Sequence, residues 1–120
     1  MPDDTFKEFV LDQLSALPEL RAKAMFGGHG LYSGTHFFGI LVEGQLYFKV
    51  DATNRPAYQE HEMKPFTYSR AKKVMTMNYY EVPPDVLEDR GLAVVWANQS
   101  IRLAAATAVQ KPAQPKKSTR

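Results

Sequence analysis

Cysteine is absent from this 120-residue chain. That one absence removes disulfides, thiol nucleophiles and thiolate metal sites together, and it fits a reducing compartment. Long hydrophobic runs are missing too. The longest, residues 37–42, is far shorter than the ~20 apolar residues that cross a bilayer. The opening Met1-Pro2-Asp3-Asp4 carries acids where a signal peptide carries cations ahead of an apolar stretch. A cytoplasmic protein without membrane contact is expected. Histidine is scarce, only His29, His36 and His61. No two of them have the close helical spacing common in zinc sites, and a catalytic zinc needs three converging protein ligands. No metal and no other cofactor is expected.

A strong excess of one charge is also lacking. There are 15 Lys and Arg against 13 Asp and Glu. Four of the cations, Lys111, Lys116, Lys117 and Arg120, lie in the last ten residues, which hold no acid. The 11 that remain face 13 acids, so the rest of the chain is slightly acidic, at −2. Nucleic-acid-binding domains concentrate positive charge on a folded face, and this chain does not do so in bulk.

What is present suits one ordinary domain. The apolar share is 44% and the charged share 23%, both near globular averages. Thr5 and Glu8 have capping-box spacing, and Phe6, Phe9, Val10, Leu14 and Leu17 form one helical stripe. A helix over 5–17 follows, stopped by Pro18. Strands are predicted over 20–26, 31–33, 36–42 and 45–50, with turns at Ser33-Gly34-Thr35 and Glu43-Gly44. A short helix spans 56–61, with Pro56 in its first turn. A second hairpin covers 66–69 and 73–82. Val82-Pro83-Pro84-Asp85 signals helix entry. Because Gly91 weakens the interior, 85–89 reads as a separate turn before a main helix over 92–109. Leu87, Val94, Ile101 and Ala108, with Ala97, Ala104 and Ala105, form its apolar face. The fold class is α+β: an antiparallel sheet flanked by an N-terminal helix, a short middle helix and a long C-terminal helix. The domain covers 1–109, and the basic segment 110–120 is too polar to fold.

Several pieces together resemble the TfoX N-terminal domain family. They are Met25-Phe26-Gly27-Gly28-His29-Gly30-Leu31-Tyr32, Phe38-Gly39, Leu46-Tyr47-Phe48-Lys49-Val50-Asp51, Pro65-Phe66-Thr67-Tyr68, Tyr79-Tyr80-Glu81-Val82-Pro83, Leu87-Glu88-Asp89 and Trp96-Ala97. The similarity runs over about 6–108. It implies an α+β domain of a bacterial cytoplasmic protein. The family's best-known members are positive regulators of natural competence that act with the cyclic-AMP receptor protein and carry a second, helical domain.

The residues themselves carry no assembled catalytic set. Gly27-Gly28-His29-Gly30 lies between strands and lacks the Lys-Ser/Thr of a phosphate loop; these glycines are read as a tight crossover or bulge. None of Ser15, Ser33, Ser69, Ser100 and Ser118 sits in a nucleophile elbow. Asp3-Asp4 and Glu88-Asp89 suit helix starts. Most rings are read as core, while Tyr47 and Tyr79, on the face away from it, are candidates for a partner surface. Arg70, Lys72 and Lys73 form the basic cluster of the ordered region, with Lys49 as a further cation near the rings. A non-enzymatic regulatory module making protein contacts is therefore expected. Two alternatives stand beside it. One is weak nucleic-acid binding through Arg70, Lys72, Lys73 and the basic tail. The other is a small-molecule or enzymatic pocket near the glycine-rich turn. Partner identity and oligomeric state stay open.

Overall fold

A computed structural model of the chain describes residues 4–25 and 27–110. Among these, four helices and six strands follow in the order α1 Asp4–Gln13, β1 Leu20–Met25, β2 Gly28–Ser33, β3 His36–Val42, β4 Gln45–Lys49, α2 Arg55–Glu60, β5 Pro65–Arg70, β6 Lys73–Glu81, α3 Pro84–Glu88 and α4 Arg90–Gln110. The α+β expectation holds. The strands form one antiparallel sheet in the order β1-β2-β3-β4-β6-β5. Short turns build β1 to β4 as a meander, and α2 carries the chain across to β5.

Turn chemistry sets the register. Glu43 and Gly44 both take positive φ, 53° and 75°, so Val42 pairs with Gln45 across a two-residue turn. Ala71 and Lys72 do the same at the tip of the β5–β6 hairpin, at 53° and 66°, without a glycine. In β3 one residue is extra. Leu31 pairs with Gly39 and Tyr32 with Phe37, so Phe38 bulges and turns its fully buried ring toward Phe48, 5.8 Å away.

The core lies on one face of the sheet. Leu31, Phe38, Leu41, Leu46, Phe48 and Val50 meet Val10 and Leu14 of α1, Tyr58 of α2, Val86 and Leu87 of α3, and Ala93 and Ala97 of α4. Helix α4 lies on β3 and β4 along small residues. Ala93, Ala97, Ser100 and Ala104 are its buried line, whereas Val94 and Ile101, predicted as its centre, flank it half-buried. Small side chains let the helix axis approach the sheet closely, and the larger ones fill the edges. Ser100 is the polar member of the line; its hydroxyl donates to the Lys49 carbonyl at 2.7 Å. Burial pushes the neighbouring Tyr58 phenol far above its ordinary pKa, and the Ser100 hydroxyl only partly offsets this.

Other boundaries differ from the sequence reading. Helix α1 starts at Asp4, so Thr5 sits inside its first turn rather than at the cap. It ends at Gln13 rather than residue 17. The following amides close tighter turns, Ser15 to Asp12 and Leu17 to Leu14, as the chain approaches Pro18. Leu14 and Leu17 still reach the core, but Phe9 is 40% exposed. Gln13 takes the inward position instead, donating to the Leu87 carbonyl at 2.9 Å. Helix α4 begins at Arg90, ahead of Gly91, because Asp89 is extended and its carboxylate accepts the Leu92 amide at 3.1 Å. This is N-cap geometry. Asp89→Ala should lower stability by about 1 kcal/mol in urea melts, while Asp89→Asn should hold most of it; equal losses from both would contradict the cap.

Candidate interaction surface

Cross-strand partners point to the same side of a sheet, so the register sorts the rings. Leu46, Phe48 and Val50 face the helices. Tyr47 and Lys49 point the other way, together with their β6 partners Glu81 and Tyr79. The pairs Arg21–Tyr32, Lys23–Gly30 and Tyr32–Phe37 belong to the same side. Among the described residues the helices share their core with only one face, and the opposite face is lined by side chains of the sheet alone.

Two ring clusters occupy that open face. In the first, Tyr32 stacks on Phe37 at 5.1 Å, and Phe37 meets Tyr79 at 5.7 Å. Arg21 and Lys23 both lie 5.8 Å from the Tyr32 ring centre, and Lys49 lies 5.4 Å from that of Tyr79. In the second, Tyr47 meets Phe66 edge-on at 5.1 Å, and Phe66 stacks near Tyr68 at 6.2 Å. A groove of about 690 Å³ opens here, lined by Val42, Glu43, Tyr47, Phe66, Thr67, Tyr68, Ser69 and Met77. Burial, then the charges of Glu81 and Glu43, raise the pKa of the Tyr47 phenol. Burial, with a smaller effect of Tyr32, pushes that of Tyr79 up to about 12. Both phenols therefore stay protonated hydrogen-bond donors at neutral pH.

The sequence-derived residues fall in different places. Tyr47 is half-buried beside the groove. Tyr79 lies on the open face as expected but is only 5% exposed, so it backs the surface rather than presenting itself. Lys72 and Lys73 are exposed at the hairpin tip. Six strand positions separate Lys73 from Tyr79, the partner of Lys49, which is roughly 20 Å of extended chain. Lys49 and the tip are thus two sites, not one. The backbone of Arg70 pairs with Lys73. Phe26 and the basic tail beyond Gln110 lie outside the described residues.

The glycine run is not a loop. Gly27, at φ +74°, belongs to the turn, while Gly28 and Gly30 lie within β2. A side chain at Gly28 would collide with the Leu41 carbonyl oxygen, and one at Gly30 would meet Met25 and Phe37 at 2.9 Å. Beside Gly28 and Gly30 the space is taken by strand backbone and side chains, while beside Gly27 it is open. Met25 closes over Gly30 on the open face. Pro65 starts β5, buried Pro83 precedes α3, and Tyr80 faces the helices near Tyr58. Trp96 stands edge-on to Tyr58 at 4.8 Å and to His61 at 5.7 Å.

Among the described residues no three His, Cys, Asp or Glu side chains gather as a metal site. No helix there is long and apolar enough to cross a membrane. Sequence reasoning missed Arg21 and Lys23. They alternate with alanines in β1, and only the β1–β2 register brings them over Tyr32.

A small helix-backed sheet with one open, ring-lined face defines an α+β domain, its helices on one side of the sheet. The sequence profile of the TfoX N-terminal domain matches residues 12–104. The chain belongs to the TfoX N-terminal domain family. No curated protein matches it.

Proposed function

We propose that this chain is a non-enzymatic interaction module of a bacterial cytoplasmic regulator, acting in transcriptional control of the competence type through protein contacts. Family membership supports the regulatory setting. The observation that carries the contact surface is the groove on the open face, which continues into the β5–β6 hairpin. Two large apolar side chains stand exposed on the groove's side of that hairpin: Tyr68 at 38% and its cross-strand partner Met75 at 40%. Exposed apolar side chains grouped beside a ring-lined groove suit a protein partner, whose own apolar residues would cover them.

The test is co-purification of tagged full-length chain with partner identification, beside a Tyr68→Ser/Met75→Ser variant. One defined protein, held by the wild type and lost from the variant at equal fold stability, is the expected result. Equal recovery by both, or no specific protein at all, contradicts the reading. Removing residues 110–120 in parallel tests whether the tail takes part; retention without them assigns the contact to the folded domain.

A further inference from the structure

We propose that the strip of the open face between β1 and β6 binds single-stranded nucleic acid, with bases against the Tyr32 and Phe37 rings and phosphates at Arg21, Lys23 and Lys49. The strip is separate from the groove and the hairpin, so the inference does not depend on the protein-contact reading.

Three features of the geometry meet here. First, the cations are held against rings: each lies under 6 Å from the centre of Tyr32 or Tyr79. Second, none of the three is held in an ion pair among the described residues, and Arg21 donates only to the Gly34 carbonyl, at 2.8 Å. Among the described residues the one salt bridge joins Arg90 to Asp12, on the helical side. On the open face Glu43 and Glu81 stand beside Tyr47 at the groove, and Glu81 is the diagonal neighbour of Lys49, so the strip's freest cations are Arg21 and Lys23. Third, Tyr32 and Phe37 are half-buried and stacked in one run, with the buried Tyr79 as backing.

Each nucleotide carries a flat apolar face and a phosphate. This strip offers a ring and a cation at matching proximity, repeated across the sheet. Base–aromatic stacking tolerates any sequence, and cations beside the rings track the backbone. A duplex hides its bases and gains only from the charges. An acidic peptide supplies charge without ring faces. Charge and rings together therefore select single strands.

The experiment is fluorescence anisotropy with full-length protein and a labelled oligothymidylate of about 12 nucleotides, starting near about 50 mM salt. Binding is expected, weaker for a duplex of equal length and for polyglutamate. Lys23→Glu with Lys49→Gln should weaken it at least ~10-fold and flatten the log–log salt slope by about 0.7 per cation removed. Tyr32→Leu, which keeps an apolar side chain but no ring, should weaken it at least ~5-fold. Lys72→Glu/Lys73→Glu, at the hairpin tip, should stay within about twofold, since those charges lie off the strip. Should Tyr32→Leu lose its fold, the exposed Lys23→Glu alone decides, and an unchanged affinity overturns the proposal. No binding at low salt, equal binding of duplex or polyglutamate, or loss only in the hairpin variant also overturns it.

Discussion

Replacing Phe48 by alanine should destabilise the domain by about 3–5 kcal/mol, enough to remove much of the stability of a domain this size. The side chain is fully buried and lies in β4 between β3 and β6. It meets the bulged Phe38 and belongs to the cluster shared with α1, α3 and α4. The cavity would be slow to collapse. Its floor is β3 backbone at Gly39, where even an added methyl would lie 3.0 Å from the Tyr47 carbonyl oxygen. Its roof is α4, held close by Ala93 and Ala97. Urea melts should show a lower midpoint at unchanged slope. Val74→Ala, at a side chain 71% exposed, should stay within about 0.5 kcal/mol. A Phe48→Ala loss below ~1.5 kcal/mol would mean that the core is not centred here.

Gly28→Ala should cost about 3 kcal/mol, at the upper end of overpacking. Its new methyl would run into the Leu41 carbonyl oxygen and the Val42 backbone. Backbone of a central strand cannot turn aside, so β2 and β3 would have to separate where the sheet carries its helices. Gly30→Ala is the informative neighbour. There the obstacles are the Met25 side chain and the Phe37 ring edge. Met25 is flexible and can give way, so about 1 kcal/mol is expected. The two glycines stand two residues apart in one strand, and thermal or urea melts should rank them clearly. A Gly28→Ala variant as stable as Gly30→Ala would show that β2 and β3 are free to part.

The same comparison shows why the run Gly27-Gly28-His29-Gly30 was only partly legible. Its glycines announce close approach, but sequence does not say to what. Gly27 needs its turn conformation, Gly28 needs a neighbouring carbonyl, and Gly30 needs two side chains. The helix ends show a similar limit. Pro18 marks a stop, yet the tightening of the chain begins upstream at Gln13. In α4 the seven-residue spacing of Val94 and Ile101 points to the correct side of the helix but not to its centre. The sheet beneath accepts Ala93, Ala97, Ser100 and Ala104, because the short side chains permit the closer approach.

On the open face, Tyr47 and Tyr79 were placed correctly by alternation along their strands. Alternation could not tell that Tyr79 would be covered by Phe37 and Lys49. The cations tell the same story. Arg70, Lys72 and Lys73 stand out because they are neighbours in sequence, whereas Arg21, Lys23 and Lys49 come together only across four strands.

By itself the sequence determined the six strands in outline, the hairpin turns, the helices at both ends of the sheet segment and the membership of the family, because these follow from periodicity, turn residues and motifs read along the chain. Tertiary structure alone decided which face stayed open, that Phe38 bulges inward, and which cations stand over which rings. Those outcomes depend on register and on helix-to-sheet distance, and both are set by contacts between residues far apart in the chain.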